Sequence, residues 1–360
     1  MTILEVGLGE RAYNIVLEQG CLQKAGTLCN LDRRVLIVTD TGVPEQYVRI
    51  VADQCSYPTI FTVEQGEESK SLAVFGELMQ AMVECQFTRG DCVVAVGGGV
   101  VGDLAGFAAA SYMRGIDFYN IPTTVLAQVD SSIGGKTAIN LGGYKNMVGA
   151  FYQPKAVLID LDVLHTLPRR QLANGLAEAV KMALTSDAQL FELFEECAGE
   201  KDTYAAVQQH METIIERSLC VKKYVVEQDE REAGLRKILN FGHTLGHSIE
   251  AYEQALYGEE GTDAREQGLY HGECVALGMI PLCTPAVRAR LTFVLQALEL
   301  PTTCAFDEHY VIEAVKHDKK SNAGTITIIT VPEVGSFEVK QTTAEALGEK
   351  LELIQQKEGQ

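Results

Sequence analysis

The stretch that decides the fold runs Asp91-Cys92-Val93-Val94-Ala95-Val96-Gly97-Gly98-Gly99-Val100-Val101-Gly102-Asp103. Its apolar half has the length and composition of a buried parallel strand, and its second half is a glycine turn that opens into a helix. The glycines at 97, 99 and 102 satisfy the G-x-G-x-x-G pattern, whose backbone amides can hold a pyrophosphate. In many sheets such a turn only connects two elements, so the pattern alone leaves dinucleotide binding open.

Strands and a helix surround this stretch. Residues 71–85 carry apolar side chains at helical spacing. The other segments that read as strands are residues 6–17 (an opening strand or hairpin), 34–40, 58–63, 119–129 and 157–160. This alternation predicts a doubly wound parallel sheet, in which ligands sit at the carboxyl ends of the strands.

Strand patterns stop after residue 160, and long helical patterns follow. They cover residues 171–184, 203–227 and 274–282, with a hairpin pattern at residues 325–339. We therefore predict an α/β domain over residues 1–165 and a mainly α-helical domain over residues 166–360.

Composition and charge exclude several classes of protein. With 46% hydrophobic and 22% charged residues, the 360-residue chain has an ordinary globular composition. Its 30 basic and 49 acidic residues give a formal charge of −19, which repels nucleic acid and anionic membranes. Any anionic ligand is therefore expected in a local basic pocket.

The cysteines and the N-terminus indicate a reducing cytoplasm. The ten cysteines show no paired spacing typical of disulfides or of a sulfur-ligated zinc site. The first twenty residues lack a signal-peptide pattern, and no apolar run is long enough to span a bilayer.

Residues 239–250 place two imidazoles, His243 and His247, one turn apart on a helix face. Gly242 and Gly246 leave room for a ligand or a neighbouring backbone, although glycine weakens a helix. Thr244 stands where a metalloprotease of the His-Glu-x-x-His type needs Glu, which argues against a peptidase. An ordinary polar helix face and part of a metal site both remain open.

Two distant segments offer further metal ligands. Glu178 lies one turn before Lys181 among small apolar residues, where it is either half of a surface ion pair or a buried carboxylate. His271 precedes a glycine at a predicted helix start. Glu178, His243 and His271 would form a zinc-type site with positions open for substrate oxygens. Such a metal polarises a carbinol while a nicotinamide takes or returns a hydride.

Basic residues indicate an anionic substrate. Gly134-Gly135-Lys136-Thr137 ends like a P-loop, but Asp130 stands at the required first glycine, which excludes nucleoside triphosphate hydrolysis. Lys136, Lys145 and Asn146 lie in a glycine-rich stretch without acidic residues, and Lys319-Lys320 belong to a basic cluster near the C-terminus. These cations suit a phosphate, a carboxylate or both.

Blocks in a fixed order along nearly the whole chain resemble the 3-dehydroquinate synthase family. They are Gly97–Asp103, Met113–Gly115, Pro122–Thr124, Asp130–Thr137, Lys145-Asn146, Glu178 with Lys181, Asn240–His247 and His271–Glu273. The resemblance implies a Rossmann-like NAD-binding domain, a helical metal- and substrate-binding domain, and a homodimer. It also implies a role in the shikimate pathway. The implied reaction is the conversion of 3-deoxy-D-arabino-heptulosonate 7-phosphate into 3-dehydroquinate and phosphate.

The resemblance also implies individual roles. Glu178, His243 and His271 would hold Zn²⁺, with Co²⁺ as a possible substitute. The residues implied to contact NAD are Asp40, Glu67, Lys70, Gly99, Val100, Asp103, Thr123, Thr124, Lys136, Lys145 and Thr166. The substrate side would comprise Asp130, Lys136, Lys145, Asn146, Lys181, Lys222, Arg236, Asn240, His247 and Lys319-Lys320, with Arg114 supplied across the dimer interface. His247 is the expected proton-transfer residue, since imidazoles titrate near neutrality.

The chain differs from the family pattern in two places. The histidine segments are farther apart, and the extra acidic residues near 257–267 are expected to form a surface loop that leaves His271 in place. Gly42 also stands where Asn is common, which would alter a contact near the nucleotide.

Three rival functions follow from the same residues. One is another sugar phosphate cyclase, which makes 2-deoxy-scyllo-inosose or 2-epi-5-epi-valiolone from a substrate without a carboxylate. The residues that favour the acid substrate are Lys222, Arg236, Asn240 and Lys319-Lys320. The second is a metal-dependent polyol dehydrogenase, which would accumulate NADH, and the third is a binding protein without turnover.

Overall fold

The computed structural model describes residues 1–257, 268–317, 321–322 and 325–356. Its residues group into two compact units, Met1–Leu172 with Lys222–Arg231 and Ala173–Val221 with Glu232–Gln360. The return of Lys222–Arg231 to the first unit does not follow from the linear order of strand and helix patterns, which placed a single boundary after residue 165.

A seven-stranded sheet forms the first unit. Its strands pair in the order β1-β2-β9-β6-β5-β3-β4, and all pairs are parallel except β1 with β2. A separate antiparallel hairpin consists of β7 and β8. The strands are β1 (Thr2–Val6), β2 (Tyr13–Leu17), β3 (Arg34–Asp40), β4 (Tyr57–Val63), β5 (Cys92–Gly97), β6 (Asp117–Pro122), β7 (Lys136–Leu141), β8 (Tyr144–Phe151) and β9 (Ala156–Ile159).

Both faces of the central strands are buried, which confirms the predicted α/β class. Val35, Leu36, Ile37 and Val38 of β3 are all fully buried, so neighbouring side chains on opposite faces are both covered. The helices before the second unit are α1 (Ala25–Leu28), α2 (Glu45–Ala52), α3 (Leu72–Glu84) and α4 (Gly99–Ser111). The predicted strands at 34–40 and 58–63 and the helix at 71–85 are confirmed as β3, β4 and α3.

The strand predicted over residues 119–129 is wrong beyond Pro122. The Thr124 hydroxyl accepts the Ala127 amide at 3.2 Å, and a wide helical turn, Ala127–Ser131, follows. The fully buried Gln128 amide donates to the carbonyls of Pro122 at 3.2 Å and Asp160 at 3.0 Å. A short apolar run fits a buried strand and a buried helical turn equally well, so its pattern did not distinguish them.

Helices dominate the second unit, as predicted. Residues 203–227, predicted as one helical pattern, form two helices that meet at His210. The helices are α5 (Arg169–Ser186), α6 (Ala188–Gly199), α7 (Thr203–Gln209), α8 (Met211–Gln228), α9 (His243–Tyr257), α10 (His271–Met279), α11 (Pro285–Ala297), α12 (Glu308–His317) and α13 (Ala344–Leu351). Two of the three cuts between the units fall within α5 and α8, and the third lies between Arg231 and Glu232. No helix in the described ranges is both long and apolar enough to cross a membrane.

Shorter elements complete the structure. A small antiparallel sheet contains β10 (Ser321–Asn322), β11 (Thr325–Thr330) and β12 (Glu338–Thr342), which confirms the hairpin predicted at 325–339. The 3₁₀ turns are Gly9–Arg11, Cys21–Lys24, Glu67–Ser69, Tyr112–Arg114, Leu161–Thr166, Leu235–Asn240 and Ile280–Leu282.

Asp160, at the end of β9, fastens a neighbouring loop to the sheet. It is 2% exposed, and its carboxylate accepts hydrogen bonds from the backbone amides of Gly20 and Leu22 at 2.8 Å and of Asp162 at 3.0 Å.

We expect Asp160→Ala to lower the free energy of unfolding by about 2–4 kcal/mol, because these amides lose their acceptor. Urea denaturation followed by circular dichroism measures the change. Asp160→Asn keeps one acceptor oxygen and should lose less; equal midpoints for Asp160→Ala and the parent would contradict this role.

Candidate metal centre and dinucleotide site

The glycine turn between β5 and α4 has no room for side chains. A Cβ on Gly97 would lie 2.6 Å from Val101, and one on Gly99 would lie 2.9 Å from the Ser131 hydroxyl. The N-cap residue of α4, Gly98, has no side chain that could cap the first turn, which begins at Gly99. The amides and the positive end of the helix dipole therefore lie at the carboxyl end of the sheet, where doubly wound folds bind phosphates.

Asp40 lies at the end of β3, which pairs directly with β5. Its side chain accepts the Gly42 amide at 2.8 Å, and burial raises the pKa of Asp40 while the amides of Gly42 and Val43 oppose the shift. A side chain at position 42 would overlap that of Gln65. Gln65 thus occupies the space that the side chain of an Asn at position 42 would need.

Thr123 and Thr124 follow the end of β6, and Thr166 is the last residue of the turn Leu161–Thr166. The Thr123 amide donates to Gly97 O at 3.0 Å, which joins the ends of β6 and β5. The Cβ position of Gly98 lies 3.3 Å from Thr124 Cγ2. Thr166 Oγ1 lies 3.1 Å from the Tyr47 hydroxyl.

Lys70 is the centre of a polar cluster. It is 4% exposed, and its Nζ lies 2.8 Å from Asp103 Oδ2, 3.4 Å from Glu67 Oε1 and 2.5 Å from Asn146 Oδ1. Burial opposes the charge on Lys70, but Asp103 and Glu67 outweigh it and raise its pKa. Residues implied for NAD and for substrate therefore share one cluster in the first unit.

Asp130 pairs with Lys222, far away along the chain. Lys222 is 5% exposed and also donates to Asp130 O at 2.6 Å. By contrast, Lys136, Lys145 and Arg114 are exposed. Arg114 has a left-handed backbone with φ of 71°.

Three imidazoles converge in the second unit. The ring nitrogens that His243, His247 and His271 offer lie within 4.8 Å of one another. Nε2 of His243 and Nε2 of His271 each lie 3.7 Å from Glu178 Oε1. His243 Nδ1 is 3.1 Å from Phe241 O, which leaves Nε2 facing Glu178.

Glu178 is the buried carboxylate that the sequence left undecided. It is 1% exposed, its Oε2 forms an ion pair with Lys181, and no donor within the described residues hydrogen-bonds its Oε1. An uncompensated buried carboxylate oxygen is unfavourable.

The protonation state of His243 suits metal binding. Burial, followed by the charges of Lys181, His247 and His271, lowers the pKa of His243 well below its ordinary value. A neutral imidazole is the form that binds metal. The donor set and the unsatisfied oxygen of Glu178 fit a divalent cation.

Glycines let α9 and α10 come into backbone contact. A Cβ on Gly246 would lie 2.9 Å from Cys274 O, and one on Gly278 would overlap Gly242 O. Gly242 has φ of 78°, a left-handed conformation at the start of α9. Of the two uses foreseen for these glycines, the structure shows the approach of a neighbouring backbone.

Gly272 holds the start of α10 against α5. Its amide donates to Asn174 Oδ1 at 2.6 Å, and a Cβ there would overlap Asn174 O. Asn174 lies one turn before Glu178 on α5. His271 is therefore held close to Glu178 by the residue that follows it.

Several contributing residues were not predicted. They include Glu250, whose Oε2 lies 3.3 Å from His271 Nδ1, and Glu232, whose Oε1 accepts a hydrogen bond from the side chain of the predicted Asn240 at 2.8 Å. Glu250 is seven residues after His243 on the same helix face, and Asn174 is four before Glu178, so helical spacing could have indicated both. Among the predicted substrate residues, Arg236 is buried, with 2% of its surface exposed. Lys319-Lys320 and the acidic residues 258–267 lie outside the described residues.

The glycine contact predicts a large difference between two similar substitutions. We expect Gly278→Ala to lower the free energy of unfolding by about 2–3 kcal/mol, because the methyl group overlaps a backbone carbonyl. Gly76→Ala, in the middle of α3 with open space around it, should instead raise stability by about 0.5–1 kcal/mol. Urea unfolding of both variants tests this; a neutral Gly278→Ala would show that the helices can move apart without loss.

Known proteins are similar to this chain in sequence and in architecture. Models of the 3-dehydroquinate synthase N-terminal and C-terminal regions match residues 60–174 and 175–321. A 3-dehydroquinate synthase of Streptococcus sanguinis (strain SK36) is 40% identical over 365 residues, covering 97% of this chain and 99% of that protein.

Two solved structures are also similar. A 2-deoxy-scyllo-inosose synthase complexed with carbaglucose-6-phosphate, NAD⁺ and Co²⁺ has a TM-score of 0.85 and 26% identity, covering 97% of this chain and 99% of that one. A 2-epi-5-epi-valiolone synthase from Streptomyces hygroscopicus subsp. jinggangensis 5008, with NAD⁺ and Zn²⁺ bound, has a TM-score of 0.82 and 27% identity, covering 94% and 95%. Because both family models match and a relative is 40% identical over nearly the whole chain, this chain belongs to the 3-dehydroquinate synthase family.

Proposed function

We propose that this chain is a 3-dehydroquinate synthase that depends on NAD and a divalent metal ion. The reaction converts 3-deoxy-D-arabino-heptulosonate 7-phosphate into 3-dehydroquinate and phosphate by oxidation, β-elimination, reduction, ring opening and intramolecular aldol closure. The observation that carries the proposal is Glu178 Oε1, buried without a hydrogen-bond donor in the described chain and 3.7 Å from two imidazole nitrogens.

Glu178, His243 and His271 are the proposed metal ligands. The bound ion would polarise the carbon–oxygen bond of the substrate and stabilise negative charge on that oxygen. Lys181 neutralises the second oxygen of Glu178, and Glu250 faces Nδ1 of His271. A carboxylate in that position fixes the tautomer of a ligand histidine and leaves Nε2 unprotonated.

The first unit is proposed to hold NAD. The cofactor would accept a hydride from the substrate and return it within the same turnover, so that no net NADH forms. The first turn of α4 offers amides for the pyrophosphate, and Asp40 offers a carboxylate for a hydroxyl group. The proposed contacts are Asp40, Glu67, Lys70, Gly99, Val100, Asp103, Thr123, Thr124, Lys136, Lys145 and Thr166.

The substrate is proposed to meet basic and amide side chains. Lys181 and Arg236 are almost fully buried, where a cation interacts strongly with a phosphate or carboxylate. The remaining proposed residues are Arg114 from a second subunit, Asp130, Lys136, Lys145, Asn146, Lys222, Asn240 and the Lys319-Lys320 pair.

His247 is the proposed proton-transfer group. It is exposed at one edge of the histidine cluster, with its ring centroid 5.1 Å from that of His243 and 5.6 Å from that of His271. Imidazole is the side chain most often used as a general acid or base in catalysis.

Assembly and compartment belong to the same proposal. We propose a homodimer, which Arg114 would require in order to act across an interface. All ten cysteines are free thiols, and burial raises the pKa of Cys21 to about 12, which suits unreactive thiols in a reducing cytoplasm.

A second candidate is a cyclase for a sugar phosphate without a carboxylate, because the similar 2-deoxy-scyllo-inosose synthase is complexed with carbaglucose-6-phosphate. One assay separates it and the polyol dehydrogenase from the proposed enzyme. We expect purified protein with heptulosonate phosphate, NAD and Zn²⁺ to release phosphate without a net rise in NADH absorbance. NADH without phosphate would identify a dehydrogenase, and phosphate released only from a sugar phosphate without a carboxylate would identify the other cyclase.

The ligand set is tested by metal content. We expect Glu178→Gln to lose most of its zinc after dialysis, because a neutral amide replaces the only anionic ligand. Elemental analysis with far-UV circular dichroism separates metal loss from unfolding.

The matched control is Glu273→Gln. Glu273 is also buried and lies two residues after His271, but its Oε2 accepts the Tyr270 amide at 2.7 Å, a bond that Gln can keep. A folded Glu178→Gln protein with the zinc content of the parent would remove Glu178 from the ligand set.

A further inference from the structure

We propose that Asn140 is a positioning residue that orients Glu67 for NAD and links it to Asn146 on the β7–β8 hairpin. Asn140 lies on β7 and belongs to none of the motifs that carry the family resemblance. The inference rests on the proposed function, because it takes Glu67 as a cofactor contact.

The hydrogen bonds of Asn140 reach two separate segments. Its Nδ2 donates to Glu67 Oε1 at 2.9 Å, and its backbone amide donates to Lys70 O at 2.7 Å. Its Oδ1 accepts the backbone amide of Asn146 at 2.9 Å. The half-buried side chain of Asn140 therefore donates a hydrogen bond to the Glu67–Lys70 turn and accepts one from the far strand of the hairpin.

Lys70 closes these contacts into a ring. Its Nζ lies 3.4 Å from the same Glu67 oxygen and 2.5 Å from Asn146 Oδ1. Asn146 has φ of 56°, a left-handed conformation that Asn tolerates better than most residues. The ring of Glu67, Lys70, Asn140 and Asn146 fixes the position of each member through two others.

The ring determines which oxygen of Glu67 is left for a ligand. Asn140 and Lys70 both contact Oε1, and no hydrogen bond to Oε2 of this partly exposed carboxylate is present among the described residues. A carboxylate oxygen held in this way is a strong acceptor for a hydroxyl group, such as those of a ribose. Without Asn140, Glu67 would keep only Lys70 and could rotate.

Fluorescence titration with NADH tests the role. The chain contains no tryptophan, so NADH emission is read against little protein background. We expect Asn140→Ala to weaken NADH binding roughly tenfold, the size of one hydrogen bond to a charged group. In Asn140→Asp the Asn146 amide keeps its acceptor, but an oxygen faces Glu67 Oε1, so binding should weaken at least as much with little change in melting temperature.

A double-mutant cycle separates positioning from a merely structural role. If Asn140 acts through Glu67, Asn140→Ala should add almost nothing to the loss caused by Glu67→Gln alone. Fully additive losses would overturn the proposal, as would parental affinity in both Asn140 variants.

The control variant is Tyr152→Phe, just after the hairpin. It removes one hydrogen bond, from the Tyr152 hydroxyl to Ile116 O at 2.7 Å, and should leave NADH affinity unchanged. An equal loss in Tyr152→Phe would mean that general loosening of the hairpin explains the result, which also overturns the proposal. Failure of the parent protein to bind NADH would instead refute NAD dependence itself, so the two failures are distinguishable.

Discussion

Backbone contact between α9 and α10 is the constraint on which the histidine cluster depends. Helices usually lie 8–10 Å apart because side chains separate them, and Gly242, Gly246 and Gly278 remove that separation. Any Cβ at these positions would meet a carbonyl or backbone atom of the other helix. Glycine in a helix is unfavourable, so this arrangement exchanges helix stability for the convergence of His243 and His271.

The two units stabilise charge in different ways. In the second unit, one oxygen of Glu178 is paired with Lys181, and the other has no hydrogen-bond donor among the described residues. In a purely structural ion pair both oxygens would be satisfied, whereas the open oxygen of Glu178 suits a cation. In the first unit, Lys70 is satisfied by Asp103, Glu67 and Asn146 together. The second arrangement needs no ion to complete it, and it presents oriented side chains at the ends of the strands.

Local pattern was sufficient where one element decides its own structure. The strand at residues 34–40 and the glycine turn after Val96 were predicted, because burial on both faces and tight turns leave direct marks in composition. Residues 119–129 were misread because a buried helical turn and a buried strand share the same apolar side chains. Asn140 and Glu250 carry no motif, since their roles come only from the residues that they face.

The sequence by itself determined the α/β and helical halves, the candidate ligands and the glycines between them, because periodicity, turn chemistry and residue type are local properties. Only the tertiary structure decided that Glu178 is buried rather than on the surface and that residues 222–231 return to the first unit. It also decided that the side chain of Gln65 fills the space beside Gly42. These outcomes depend on which distant residues come within a few ångströms. Packing sets those distances, and the order of residues along the chain does not express them.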